Sequence, residues 1–219
     1  MPFEYQFPDP MKADEDGLLA VGGDLSIESL LTAYSMGIFP WYDDHSPILW
    51  WSPDPRLVLF PEKFKVSDSL SRTIRKGQFT IKTDTDFEGV IRQCAMIRRK
   101  GQNGTWLTPE MITAYIRLHR AGYAHSFETW SGDNLVGGLY GVSLGRAFFG
   151  ESMFHHVRDA SKVALHALVK WCIEHNFQFI DAQQSTSHLK SLGAEDIPRG
   201  RFLTMLEDAL KFDTIKGKW

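Results

Sequence analysis

The sequence predicts an α+β protein: a small N-terminal domain over residues 1–54, then a larger domain over 55–219 built on a central, mostly antiparallel sheet flanked by helices. Three observations predict it. Apolar runs at 123–130, 135–142 and 146–154 follow one another with only Ser131-Gly132-Asp133-Asn134 and Leu144-Gly145 between them, the pattern of an antiparallel meander. Segments of helical periodicity stand before and after that meander. A proline-rich break at Pro53-Asp54-Pro55 separates it from an N-terminal stretch of different composition.

The elements follow in order. The first 25 residues are rich in Pro, Asp and Gly, so they predict turns with one short hairpin at most. Ser26 is an N-cap, because its hydroxyl can accept from a free N–H of the first turn. Ile27, Leu30, Leu31 and Tyr34 then recur at helical spacing until Gly37. Ile38-Phe39-Pro40-Trp41 and Ile48-Leu49-Trp50-Trp51-Ser52-Pro53-Asp54-Pro55-Arg56 put three tryptophans and three prolines close together, predicting a rigid, aromatic-lined surface. Ser67 caps a short basic helix ending at Gly77, and 79–82 is a strand. Thr85 with Glu88 forms a capping box before a helix with Phe87, Val90, Ile91 and Cys94 on one face. Thr108-Pro109 opens the next helix, with proline where no N–H is needed, and that helix runs to Gly122. After the meander, a helix from about Asp159 carries Leu165, Leu168, Val169 and Cys172 on one face and leads into a strand at 177–181. Helices, a three-strand meander, a helix and a strand make the order of an N-acetyltransferase-like (GNAT-like) core.

Composition bounds the function. Hydrophobic residues make up 43% and charged residues 23%, the balance of a folded globular protein. No run approaches the ~18 apolar residues of a membrane span, and the start has neither a basic nor an apolar signal region, so a cytoplasmic protein without a membrane role is expected. Cys94 and Cys172 fall on apolar helix faces and are expected to be buried thiols. The net charge of −3 is uneven: residues 61–109 carry +5, leaving −8 for the rest. That asymmetry suits a polyanionic partner on one face, and equally a solvated helix face.

Several chemistries are disfavoured. An acyl-CoA acetyltransferase holds pyrophosphate on a glycine-containing loop before the helix that follows its central strand. The corresponding segment here, Met153-Phe154-His155-His156-Val157-Arg158-Asp159-Ala160-Ser161-Lys162, has no glycine, so CoA is not the expected donor. The adjacent His155-His156 lacks metal-ligand spacing, and there is no Gly-x-Ser-x-Gly elbow or P-loop. No metal and no cofactor is expected.

What remains suits RNA. Trp41, Trp50, Trp51 and Trp106 are predicted in loops or at element edges, where an indole can take a stacked base, although for any one of them core packing is the first assignment. Arg92, Arg98, Arg99 and Lys100 precede Trp106 without an intervening acid, and the short helix adds Arg72, Arg75 and Lys76. Asp181 and Gln183 end the last strand two residues apart, sharing a face if the strand is regular, so the carboxylate could fix the amide. On the residues alone a strand-end polar pair satisfied by neighbouring backbone is the favoured assignment, and Glu151 is equally a rim salt bridge or a site residue.

Taken in order, Gly17-Leu18-Leu19-Ala20-Val21-Gly22-Gly23-Asp24-Leu25, Gly37-Ile38-Phe39-Pro40-Trp41, Leu49-Trp50-Trp51-Ser52-Pro53-Asp54-Pro55-Arg56, Gly104-Thr105-Trp106, Gly150-Glu151-Ser152-Met153-Phe154 and Ile180-Asp181 with Gln183 resemble the leucyl/phenylalanyl-tRNA–protein transferase family. The resemblance runs from about residue 15 to 205. It implies a small N-terminal domain and a GNAT-like second domain. It also implies transfer of Leu, Phe or less often Met from aminoacyl-tRNA to a protein beginning with Arg or Lys, which marks that protein for degradation.

Residue by residue, the resemblance places Trp41 and Trp106 around the terminal adenosine. It places Leu139, Phe148, Met153, Leu165, Leu168 and Ile180 around the aminoacyl side chain. Asp181 and Gln183 become the catalytic pair, Glu151 the acid on the acceptor side, and Arg72, Arg75 and Lys76 part of a tRNA-binding helix, with Arg98 and Arg99 as further basic contacts. The chain departs from the family pattern at Asp68, where a basic residue is expected. Leu139 and Leu168 stand where methionine and phenylalanine occur in relatives, and Gln184-Ser185-Thr186-Ser187 is unusually polar.

Overall fold

The computed structural model describes residues 6–97 and 107–219. In chain order its elements are β1 (Leu18–Val21), α1 (Ile27–Ser35), β2 (Phe39–Pro40), β3 (Leu49–Trp51), β4 (Arg56–Leu59), α2 (Asp68–Arg75), β5 (Thr80–Thr83), α3 (Phe87–Met96), α4 (Pro109–Arg120), β6 (Ala124–Ser131), β7 (Asn134–Leu144), β8 (Ala147–His155), α5 (Ala160–Glu174), β9 (Phe179–Gln183), α6 (Ser187–Ser191), β10 (Glu195–Ile197) and α7 (Arg199–Leu210).

Local chemistry sets the helix ends. Ser26 accepts the Ser29 N–H at 3.2 Å to cap α1, and Gly37, at φ 73°, turns the chain out of it. A Cβ at Gly37 would also stand 2.8 Å from Phe202 and Leu203, so α1 and α7 lie too close there for any larger residue. Thr108 caps α4 through the Met111 N–H at 3.2 Å, with Pro109 in the first turn. The start of α3 departs from expectation. Asp86, not Thr85, is its N-cap and accepts the Gly89 N–H at 2.9 Å. The Thr85 and Asp86 N–H groups go instead to the buried carboxylate of Glu128 on β6, at 2.8 and 2.7 Å, a tertiary contact that settles which residue caps.

Seven strands form one sheet in the order β10-β4-β9-β8-β7-β6-β5, and every neighbouring pair is antiparallel except β8–β9. The expected α+β architecture with a mostly antiparallel sheet is therefore observed, the predicted meander being β6–β8. Helix α5 carries the chain from β8 over one face and returns it as the parallel strand β9. A small second sheet, β1-β3-β2, forms in the N-terminal region. Among the described residues the first 25 form no hairpin of their own: β1 pairs with β3, about thirty residues away.

One apolar cluster joins the two regions, with Leu30, Tyr34 and Trp50 packed together with Tyr115, Tyr140, Phe149 and Phe202. A second cluster, including Leu139, Phe148, Leu165, Leu168 and Ile180, lies between the sheet and α5. Both cysteines are buried, and desolvation pushes the Cys172 thiol well above its ordinary range. Among the described residues no helix is long and apolar enough to cross a membrane.

Trp50 is a core residue rather than a base platform. It is fully buried and its indole N–H donates to the Gly22 carbonyl at 2.8 Å, tying β3 to the turn after β1. Trp50→Ala is expected to cost about 3–5 kcal/mol, by loss of packing and the cavity left behind, as read from urea denaturation midpoints.

Candidate active site

A cleft of about 940 Å³ opens between the N-terminal segment and the sheet where β8 and β9 run side by side. Its floor is apolar: Leu139, Met153, Leu165, Leu168 and Ile180 line it, five of the six residues expected around an aminoacyl side chain. Phe148 stands behind this lining. It is fully buried, and it pairs in register with Ile180 on the neighbouring strand. Gly150 also borders the cleft, where the lack of a side chain leaves room.

Trp41 lines the mouth from the N-terminal side, on the same cleft as Asp181 and Gln183. Its orientation is fixed from behind. The Trp51 indole N–H donates to the Trp41 carbonyl at 2.6 Å, and the two rings meet edge to face at 5.6 Å. Trp51 is thus a prop. Trp106, Arg98 and Arg99 lie outside the described residues. Arg72, Arg75 and Lys76 are exposed on α2, and Thr73 of the same helix reaches Asp159 at the cleft rim at 3.5 Å. The basic helix therefore flanks the entrance.

The polar wall is where the structure adds most to the sequence. Asp181 is fully buried and held by Arg56, also fully buried. Arg56 Nε donates to Oδ1 at 2.8 Å and Nη2 to Oδ2 at 2.7 Å. The remaining Arg56 contacts run to the Gly37 carbonyl at 3.1 Å and to the ring faces of Phe39 and Phe202 at 4.9 and 4.4 Å. No sequence pattern singled out Arg56. A buried arginine has no periodicity of its own, and only the need to neutralise a buried Asp181 could have pointed to it.

Asp181 and Gln183 do not form the simple same-face pair expected. Opposite β4, Val58 pairs with Asp181 and Leu57 with Gln183, so Ala182 is an extra residue and β9 bulges. Gln183 takes φ 61°, and its own N–H donates to Asp181 Oδ1 at 2.9 Å. The carboxylate thus fixes the main chain of Gln183, not its amide. That amide swings to the cleft and donates to Glu151 Oε1 at 2.8 Å.

Glu151 borders the cleft and is 8% exposed. Its Oε2 accepts from the Tyr115 hydroxyl at 2.8 Å, and Tyr115 in turn meets the Tyr34 hydroxyl. Either hydroxyl can be the donor in that contact. Desolvation pushes the Glu151 carboxyl up to about 7. Bonds from Tyr34, Tyr115 and Gln183 oppose this, and the nearby Asp181 charge adds to it. Both tyrosines are held well above their ordinary range, first by burial and then by the Glu151 charge. They stay protonated donors.

An N-acetyltransferase-like element order, with an apolar cleft ending at a carboxylate–amide pair, defines the class: an acyltransferase. Known proteins make the assignment specific. The family model for leucyl/phenylalanyl-tRNA protein transferase matches residues 58–207, and the model of that family's N-terminal domain matches 23–54. A leucyl/phenylalanyl-tRNA–protein transferase of an Anaeromyxobacter species is 59% identical over 219 residues, covering 100% of this chain and 93% of its own. One from Solidesulfovibrio magneticus is 58% identical over 216 residues, 99% of this chain and 87% of its own. Among solved structures, an aminoglycoside acetyltransferase from a soil metagenome is 16% identical and covers 53% of this chain and 85% of its own, at a TM-score of only 0.40. The chain belongs to the leucyl/phenylalanyl-tRNA–protein transferase family.

The raised Glu151 pKa has a thermodynamic signature. Between its ordinary value of 4.5 and about 7, the folded protein binds more protons at this site than the unfolded chain does, so stability falls as pH rises through that window. Against wild type, Glu151→Gln should gain relative stability from pH 4.5 to 7, by roughly 3 kcal/mol at full effect, in denaturation midpoints followed across pH.

Proposed function

We propose that the protein transfers Leu, Phe or, less readily, Met from aminoacyl-tRNA to proteins beginning with Arg or Lys, giving products destined for degradation. One observation carries this reading: a cleft whose greasy floor ends at the Gln183 amide and the Glu151 carboxylate, with Trp41 at its mouth. In the same reading residues 1–54 form a small domain that contributes Trp41 to the donor site, and 55–219 form the catalytic domain. The compartment is the cytoplasm.

The donor ester is already activated, so the protein needs no nucleophile of its own. Holding an amine against a carbonyl in reactive geometry removes several kcal/mol of barrier. The terminal adenosine stacks on Trp41, with Trp106 as its partner, and the aminoacyl side chain enters the floor formed by Leu139, Met153, Leu165, Leu168 and Ile180, backed by Phe148. Exposed Arg72, Arg75 and Lys76, with Arg98 and Arg99, meet the tRNA backbone. Asp181 holds Gln183 in place to orient the incoming amine, and Glu151 stands on the acceptor side. The segment between β8 and α5 has no glycine to cradle a pyrophosphate, which supports a donor other than CoA.

The decisive measurement is transfer of labelled Leu from Leu-tRNA to a peptide beginning with Arg, with an otherwise identical peptide beginning with Ala as control. Only the first should be labelled. A pocket that admits Leu also admits Met and Phe, since one methylene is worth only ~1–3 kcal/mol, whereas branching at Cβ clashes with a shaped wall. Ile-tRNA should therefore react far more slowly than Leu-tRNA, and equal rates would contradict the pocket assignment.

Trp41→Ala tests the stacking. Loss of ~1–3 kcal/mol of base stacking should raise KM for aminoacyl-tRNA roughly 5- to 150-fold while leaving the acceptor KM unchanged.

A further inference from the structure

Two carboxylates stand at the polar end of the cleft, and the structure distinguishes their tasks. Asp181 has no side-chain exposure, and Arg56 grips it with two nitrogens while the Gln183 N–H takes a third bond. A proton placed on it would have to break a bidentate buried ion pair. Glu151 is differently built. It borders the cleft, its oxygens accept from the neutral donors Tyr115 and Gln183, and no cation among the described residues is paired with it. The groups facing it are Tyr34 from α1, Tyr115 from α4 with Tyr140 of β7 against its ring, and Gln183 and Asp181 from β9, the last neutralised by Arg56 of β4.

Resting on the transfer reading above, we propose that Glu151 takes the proton lost by the acceptor's α-amine as the peptide bond forms, and that Asp181 is a positioning residue that does not meet substrate. The amine lone pair attacks the ester carbonyl carbon and a C–N bond forms. The nitrogen then carries one proton too many, which passes to Glu151. The bond between that carbon and the ribose oxygen breaks, its electron pair leaves on the oxygen, and the proton on Glu151 moves there. The amide and the free tRNA hydroxyl are the products, and Glu151 is returned as a carboxylate. The Tyr115 hydroxyl, backed by Tyr34, and the Gln183 amide hold the two oxygens in place throughout. A group meant to attract the long side chain of Arg or Lys would be better exposed than one enclosed by two tyrosines and an amide.

A carboxyl poised close to neutrality suits transfer in both directions, and the value of about 7 agrees with this placement. The test measures kcat and KM for an Arg-peptide acceptor across pH, in wild type, Glu151→Gln and Tyr115→Phe. In wild type, kcat/KM should rise with pH through an enzyme group near 7 and through the acceptor amine near 8. Glu151→Gln keeps the shape of the site but puts an NH2 donor where one carboxylate oxygen accepts, so the Tyr115 hydroxyl must turn to accept from it while Gln183 still donates to the amide oxygen. It should lower kcat by ~10²–10⁴-fold, move the acceptor KM by less than threefold and lose the limb near 7. Tyr115→Phe removes a bond that stabilises the carboxylate and should shift that limb to higher pH without abolishing it. A loss of kcat below tenfold, or a limb near 7 that survives Glu151→Gln, would overturn the proposal. A raised acceptor KM with kcat intact would instead assign Glu151 to holding the cationic side chain. Wild type that transfers nothing to the Arg-peptide would remove the transfer reading itself, a failure seen before any variant is made.

Discussion

Arg56 and Asp181 meet where β4 and β9 pair, both without solvent contact, and the site is assembled around them. Burying two charges is costly, and Coulomb attraction offsets the cost only when geometry is good and the remaining polar atoms are satisfied. Here the guanidinium engages both carboxylate oxygens, gives a third nitrogen to the Gly37 carbonyl and is sandwiched by Phe39 and Phe202. One ion pair thereby joins the turn after α1, the central sheet and α7. It also couples the two ends of the cleft: Phe39 lies two residues before Trp41, and Asp181 lies two before Gln183. Breaking either partner would leave a charge stranded in the core.

The chemistry of the cleft follows from how differently its polar groups are surrounded. Asp181 has a full set of partners including a cation. Glu151, on the same cleft, has only neutral donors, and burial lifts its carboxyl up to about 7. Two identical functional groups are given separate tasks by their environments, one rigid and one exchangeable. The tyrosines matter to the second, because each is itself difficult to ionise and so presents a hydroxyl proton at every physiological pH.

Much of the fold was legible in the sequence where the local signal agreed with the tertiary one. Ser26, Ser67 and Thr108 cap the helices they were expected to cap, and the meander is visible because its turns are short and its strands long. Legibility failed where tertiary contacts chose. Thr85 and Asp86 are both competent caps, and only Glu128, forty residues on, decides between them. Strand β4 is buried along its whole length, so it shows no alternation, and it opens with an arginine. Helix α7 was not anticipated at all. Trp41 and Trp50 have the same residue type and similar neighbours, yet one borders the cleft and the other is core, a difference set by β1–β3 pairing rather than by any local pattern. Within the site, the pocket-floor residues and the Glu151–Gln183 neighbourhood were marked by motif. The grip of Arg56 on Asp181 was not, and the same-face argument for Asp181 and Gln183 assumed a regular strand.

That irregularity has a consequence for how the sequence can vary. Ala182 is one residue more than the ladder with β4 requires, and the surplus is what sends the neighbouring side chains to different places, one into the core and one into solvent reach. The length of this strand is therefore a functional quantity. Removing Ala182 would leave the partners of Asp181 and Gln183 on β4 unchanged, but it would cost the bond from the Gln183 N–H to Asp181 Oδ1 and the left-handed turn at Gln183 that aim the amide at Glu151. In most β-sheets a gap of one residue is tolerated at the loops and harmful in the strands because it exposes the core. Here the harm would fall first on the aim of the Gln183 amide.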